Sequence, residues 1–217
     1  QEKILATLGA FITVFVLASL TQIGSLNYSL NIMLIASMGA STFLVFVTPH
    51  SPMAQPWPVI GGHLISAFVG VACAHLIHSP AIAAASAISL SIFGMHALKC
   101  LHPPSAATTL IAVLGSEEIK ALNWQFCYEV VLINAFIIAL LGVIINRYLL
   151  GKRYPIMHTH HSHHQEISSQ SNIPKLNESD FKWAMTQMDG VIDVTEEDLV
   201  DLYEFAVEHA NKSKLKP

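Results

Sequence analysis

Formal charge is what this sequence has least of. Only 12% of its 217 residues are Asp, Glu, Lys or Arg, against roughly 25% in an average soluble domain. The shortage is concentrated in one part of the chain. From Ile4 to Asn146 the formal charges are Lys99, Glu117, Glu118, Lys120 and Glu129, and the first arginine is Arg147. With 53% hydrophobic residues and a mean hydropathy of +0.51, that stretch reads as a membrane bundle rather than a soluble domain. From Arg147 onward the composition is ordinary for a soluble segment. The net charge of -4 sits mostly in that tail and says little about what the bundle handles. Cysteine is sparse as well: Cys73, Cys100 and Cys127 are widely spaced and apolar in context. They form neither a CxxC pair nor a disulfide framework, and read as buried thiols. HExxH and GxSxG motifs are missing, and the bundle holds no acid pair, so an enzyme is not expected. No signal peptide with a cleavage site is evident. The chain opens at Gln1 rather than Met, so its first helix is expected to be incomplete or its start processed.

What is present is apolar in blocks. A spanning helix needs about 20 predominantly apolar residues, and residues 4–23 qualify. A second apolar segment covers 32–47. Residues 48–58 hold Pro49, Pro52, Pro56 and Pro58 and cannot be one continuous helix. Segments three and four cover 59–77 and 81–98, separated by His78-Ser79-Pro80. Lys99 to Pro104 breaks the chain again, a short fifth segment covers 105–114, and the sixth runs over 124–150. Arg147, Lys152 and Arg153 place the C-terminus in the cytoplasm by the positive-inside rule. If all six segments cross, Lys3 and Lys99 fall inside and Glu117 and Glu118 outside. The alternative is four crossings, with segments two and five as partial helices. Small residues such as Gly61-Gly62, Gly70 and Ala83 to Ala85 let such helices approach closely.

The expected fold is therefore all-α. A polytopic transmembrane bundle of about six apolar segments, two of them partial or re-entrant in the alternative, occupies residues 1–150. A polar linker over 151–175 crowds histidines into 158–164, and a small cytoplasmic amphipathic helix pair occupies 176–217. Ser179 caps the first of that pair, residues 191–194 suit a brief extended piece, and the second helix follows Thr195. The histidine cluster suits incidental metal affinity, since no Cys or carboxylate at ligand spacing joins it.

Two breaks carry the polar chemistry. Aligning His50 with His102 also aligns Pro52 with Pro104 and Ala54 with Ala106, a helix–break–helix repeat of the kind transporters use around a site. Proline suits the first turn of a helix, so Pro103-Pro104-Ser105 reads as a helix start with neighbouring N–H groups free. Such N–H groups and the helix dipole suit a small anion. His102, Ser105, Thr108 and Thr109 add donors. With no Arg or Lys deep in the bundle, a weakly hydrated monovalent anion fits better than phosphate or sulfate. His63 is a candidate interior residue, since an intramembrane ionisable residue points to the bundle interior or a cavity by default, and Gln55 is a candidate to line a path.

At His102-Pro103-Pro104 the sequence resembles the HPP family of integral membrane proteins. The likeness extends to Gly39-Ala40-Ser41-Thr42, to Ser51 through Trp57, to Gly61 through Ala67, and to Ser105 through Thr108. It covers roughly residues 4–150. The resemblance implies a small transmembrane domain, usually described with four spans, and transport, with nitrite import associated with plant and cyanobacterial members. Bacterial relatives often continue into paired CBS domains, whereas this chain continues into a helix pair resembling the connecting segment. Trp57 stands where the family usually has Arg or Lys. The candidate substrate-binding set is His50, Ser51, Pro52, Gln55, His63, His102, Pro103, Pro104, Ser105 and Thr108, with Ser41 and Thr42 from the matched motif. The expected function is a transporter or channel for a small monovalent anion, nitrite first. Alternatives are a membrane sensor or scaffold with a partner-binding tail, and a divalent-metal transporter. Expected partners are the lipid bilayer and a small inorganic anion, with homo-oligomerisation open. No nucleic acid, cofactor or resident metal is expected. The expected location is a bacterial inner membrane or its equivalent.

Overall fold

The computed structural model describes residues 2–24, 34–156 and 202–207, and the chain divides into two units after Ile156. The first unit is built from helices: α1 (Glu2–Gly24), α2 (Ala36–Val47), α3 (Pro56–Leu76), α4 (Pro80–Ala97), α5 (Ser105–Leu114), the short α6 (Glu117–Leu122), and α7. Helix α7 covers Phe126–Leu149. Its middle, Ile133–Val143, is α-helical, while Phe126–Leu132 and Ile144–Leu149 are wound wider, as π-helix. No strand occurs among the described residues.

Among the described residues four helices are long and apolar enough to cross a membrane: Lys3–Thr21 within α1, Pro56–Leu76, Pro80–Ala97 and Phe126–Leu149. Helices α2 and α5 have 12 and 10 residues. At a rise of about 1.5 Å per residue, each covers little more than half of a hydrocarbon core about 30 Å thick. These are the two segments that the four-crossing alternative takes as partial helices. The prolines sit where a missing N–H costs nothing. Pro56 and Pro58 lie in the first turn of α3, and Pro80 opens α4. The first break is therefore shorter than residues 48–58, because α3 starts at Pro56 and a 3-10 turn, Pro52–Ala54, fills the middle of the break.

Contacts between helices fix their directions. A Cβ on Gly9 of α1 would fall 2.8 Å from Phe46 near the end of α2, so these two run oppositely. Trp57 Nε1, at the start of α3, donates to Leu98 O after the end of α4. Helix α5 runs beside α3 in the same direction, since Gly62 meets His102 and Gly70 meets Ala112. Asn146, late in α7, donates from Nδ2 to Val45 O, late in α2. Passes α1, α2, α3, α4, α5 and α7 thus alternate in direction, with two of the six too short to span. One end of the bundle holds both Pro-rich breaks, Lys3, Lys99 and the segment after α7. The opposite end holds His75, Glu117, Glu118, Lys120 and Asn123, with His75 Nε2 2.6 Å from Asn123 Oδ1.

Helix α3 is central and half of it is buried, against 17% for α1 and 22% for α4. Outer faces carry Phe11, Phe15, Phe43, Phe93 and Phe136, each more than half exposed, as a lipid-facing surface requires. Behind the last span, Tyr154 is buried and its hydroxyl donates to Ala54 O at 2.7 Å. Burial pushes that phenol well above its ordinary pKa, so it stays a neutral donor that ties the end of the unit to the first break. In the second unit, residues 202–207 are helical and Ala206 is buried, within the second helix expected of the tail. The histidine cluster at 158–164, the helix from Ser179 and the segment 191–194 lie outside the described residues.

Two glycines on one stripe of α3 hold the centre together. A Cβ on Gly62 would lie 2.7 Å from His102 Cβ and 3.0 Å from Cys100 O. Neither neighbour is a flexible chain end, so backbone must move. Gly62→Ala is expected to lower unfolding stability by about 1–3 kcal/mol through overpacking. Gly39→Ala meets nothing within 4 Å and should be neutral or stabilising by up to about 1 kcal/mol, because glycine is costly inside a helix. Thermal and denaturant unfolding of the two variants in the same detergent distinguishes them.

Candidate functional site

The first polar group to account for is His102, which lies in the second break and is fully buried. Its Nδ1 is 2.8 Å from the carbonyl of Met53 in the first break. The two Pro-rich breaks are therefore joined, but through a backbone carbonyl on one side. On the far side of the ring, Nε2 is 2.8 Å from Ser41 Oγ on α2. The same hydroxyl is 2.7 Å from His63 Nε2 on α3. His63 Nδ1 is 2.8 Å from Thr108 Oγ1 on α5, and Thr108 Oγ1 is 2.8 Å from Ser37 Oγ, one turn before Ser41. The two imidazole rings meet edge to face with centroids 5.0 Å apart. Ser37, Ser41, His63, His102 and Thr108 are each at most 1% exposed. At about 1.5 Å per residue, His63 stands about 10 Å below the start of α3, inside the bundle rather than at its end.

The hydrogens in this cluster can be counted. A carbonyl only accepts, so His102 Nδ1 carries a hydrogen and donates to Met53 O. A neutral His102 then has a bare Nε2, and Ser41 must donate to it. A serine hydroxyl has one hydrogen and two acceptor positions, so His63 Nε2 must be the N–H that donates to Ser41. His63 Nδ1 is then bare and accepts from Thr108. Because the Thr108 hydrogen is used there, the 2.8 Å contact between Thr108 and Ser37 has Ser37 as its donor in this state, a hydroxyl hydrogen being free to rotate. With both rings neutral and each of these contacts kept as a hydrogen bond, one assignment is consistent, and every donor in it points from Ser37 toward His102. With His102 doubly protonated the line reverses and Thr108 donates to Ser37. The Ser41 hydroxyl also lies 3.0 Å from Ser37 O, a second acceptor if it rotates. Both rings cannot be charged together at low cost. Two unit charges about 5 Å apart repel by roughly 3 kcal/mol at an effective dielectric of about 20.

Residues 1–155 match the family described as HPP, transmembrane region. The chain belongs to the HPP family. A transmembrane protein of Dictyostelium discoideum is 35% identical over 153 residues, which cover 69% of this chain and 49% of the relative. A second transmembrane protein of that organism is 36% identical over 153 residues, covering 69% of this chain and 53% of the relative. The chain thus spans about half the length of the curated relatives it matches. No solved structure matches it.

Within this HPP domain the expected site residues separate into two groups. Ser41, His63, His102 and Thr108 form the cluster, and Ser105 lies beside it, its hydroxyl donating to His102 O at 2.7 Å and lying 3.1 Å from Met95 Sδ. Thr42 is buried next to the cluster, but its hydroxyl donates to Met38 O in its own helix. The first break contributes differently. His50 is exposed. Ser51 Oγ accepts from Met53 N at 3.2 Å and Pro52 opens the 3-10 turn, so both shape the loop that presents the Met53 carbonyl. Gln55 is a clasp, donating from Nε2 to Pro49 O and Ser51 O while its Oε1 accepts from Ile156 N. Pro103 is exposed and Pro104 caps α5.

One expectation needs correction. The N–H groups at the start of α5 are not free: Ser105, Ala106 and Ala107 donate to His102 O, Pro103 O and Pro104 O. The turn that the two prolines impose supplies its own carbonyls, so the donors available in the interior are side chains. Sequence reasoning also missed Ser37 and the Met53 carbonyl. Ser37 stands four residues before Ser41, and that helical spacing on one face was the available signal. Among the described residues no group of three His, Cys, Asp or Glu side chains converges as a metal site would require.

Removing the central hydroxyl should be costly. Ser41→Ala leaves two buried ring nitrogens without their partner, and each unsatisfied buried group costs about 1–3 kcal/mol. Thr42→Val removes only a bond within one helix and should cost less than about 1 kcal/mol on the same scale. Denaturant unfolding of both variants checks the order, and equal losses would contradict the assigned network.

Proposed function

We propose that this HPP protein is a transporter or channel for a small monovalent anion, with nitrite as the first candidate, and that the His63–Ser41–His102 cluster is its working site. The observation that carries the reading is the composition of that cluster. It gathers neutral donors on four separate elements at one buried point, and none of Ser37, Ser41, His63, His102 and Thr108 carries a fixed charge. Neutral donors suit a weakly hydrated anion whose desolvation is cheap, and they suit it better than a divalent oxyanion that would need Arg or Lys. On this reading an anion takes the place of the Ser41 hydroxyl as the acceptor for the His63 Nε2–H, and for a His102 Nε2–H when that ring is protonated, with Thr108 and Ser105 as further donors. The small-residue seam of α3 against α5, at Gly62 and Gly70, is where the packing has least side chain to displace. We further infer a multi-pass orientation with both ends of the first unit on the cytoplasmic side, since Lys3, Lys99, Arg147, Lys152 and Arg153 belong to one end of the bundle.

The test is flux. Purified protein in liposomes is assayed for uptake of nitrite, nitrate, formate and chloride. Nitrite uptake above that of empty liposomes is expected, and His102→Ala should reduce it by about tenfold or more, the equivalent of one lost buried hydrogen bond. Unchanged flux in that variant removes His102 from the site. A protein that moves none of the four anions rejects the reading as a whole.

A further inference from the structure

The donor order in the cluster has a use beyond holding an anion. We propose that Ser37, Thr108, His63, Ser41 and His102 form a proton wire that loads a single proton onto Nε2 of His102. The inference deepens the reading of the cluster as the working site by naming the second ion it handles.

The geometry is that of a relay. Four consecutive contacts measure 2.8, 2.8, 2.7 and 2.8 Å from Ser37 to His102. In the neutral state each O–H or N–H points to the next acceptor along that line. Once water reaches Ser37 Oγ, a proton delivered there from hydronium releases the Ser37 hydrogen to Thr108. Thr108 passes its own hydrogen to His63 Nδ1. His63 gives up its Nε2 hydrogen to Ser41, and Ser41 gives its original hydrogen to His102 Nε2. At each group one bond to hydrogen forms and one breaks, so the net change is one proton gained by His102. Afterwards every hydrogen bond in the chain is still made with its polarity reversed, and no heavy atom has to move. The Met53 carbonyl accepts from Nδ1 of His102 both before and after, which makes this ring the terminus.

Among the described residues no fixed charge stands against the two rings. Around the two rings stand Ser37 and Ser41 from α2, the Met53 carbonyl from the first break, Met95 from α4, Cys100 before His102, and Ser105 and Thr108 from α5. The Cys100 thiol is the one titratable group in this set. His50 and Lys99 on the two breaks, and Glu129 on α7, are exposed. The proximity of the rings limits the load to one proton. Ser37 is 1% exposed and His102 is fully buried, so loading waits on water reaching Ser37.

Two measurements decide the matter. In protein labelled with 15N-histidine and reconstituted in lipid, the neutral cluster should show His102 protonated at Nδ1 and His63 at Nε2; the opposite tautomer of either ring overturns the wire. In liposomes given an inward pH gradient at zero membrane potential, with nitrite outside, an internal pH dye should report faster proton entry with the wild type than in empty liposomes. Thr108→Val, which keeps the shape and loses the hydroxyl, should slow that entry by about tenfold or more. Thr108→Ser, which keeps the hydroxyl, should restore it to within about threefold. Wild-type entry no faster than in empty liposomes, or equal entry in the valine variant, overturns the proposal. Proton entry that follows this pattern in a protein that moves no anion would leave the wire standing and remove the anion reading.

Discussion

The Ser41 oxygen is the point on which the centre of the bundle depends. It lies within hydrogen-bond distance of one ring on α3 and one ring in the second break, and it belongs to a third element, α2. An unpaired buried polar atom costs several kcal/mol in an apolar medium, and among the described residues the bundle leaves Ser66 Oγ and Asn146 Oδ1 without a partner but none in the cluster. Here the solution is mutual. Each ring nitrogen is answered by a hydroxyl or a carbonyl, and each hydroxyl by a ring or another hydroxyl. A network so closed is stiff and intolerant of partial loss. It also demands close approach, which Gly62 allows by having no side chain where His102 Cβ lies.

The two short helices follow from the same requirement. A full-length helix in place of α2 or α5 would carry its ends, and the breaks beside them, out to the membrane surface. Short helices leave the breaks partly inside, where a histidine on an irregular segment can face a helix flank. Non-helical backbone is tolerated at such depth only when it is covered by protein. The covering is provided locally: Gln55 takes up carbonyls of the first break, the α5 start is satisfied by the carbonyls of its own turn, and Tyr154 returns after the last span to donate to Ala54 O.

Much of this was legible from residue order. Apolar length and proline position marked each helix, because the membrane forces every backbone group into internal hydrogen bonds and proline can only stand where an N–H is not needed. The two breaks, His102, His63, Ser105 and Thr108 were legible as polar groups that an apolar bundle cannot leave unexplained. The apparent repeat misled in one respect. It gave His50 and His102 equal standing, yet His50 is exposed and a backbone carbonyl, Met53 O, occupies the corresponding role. Only the 3-10 turn and the Gln55 clasp decide which atom of the first break faces inward, and both are tertiary facts. Ser37 was faint for the opposite reason, since its one signal is the four-residue spacing from Ser41 and a serine in an apolar helix ordinarily serves packing.

The absence of Arg and Lys from the interior, first noticed as a shortage of charge, bears on how the two proposed ions relate. A neutral cluster can bind an anion only weakly in a low-dielectric interior. A proton is the one positive charge it can acquire without importing a side chain. Loading His102 therefore strengthens the attraction for an anion, and a bound anion stabilises the loaded proton by the same coupling free energy. Repulsion between rings 5.0 Å apart holds the load at one. One proton with one monovalent anion is electroneutral, and an electroneutral pair crosses a low-dielectric bundle at far lower cost than either ion alone. On these terms the scarcity of fixed charge is what allows the site to be empty, loaded or paired without leaving a net charge stranded in the membrane.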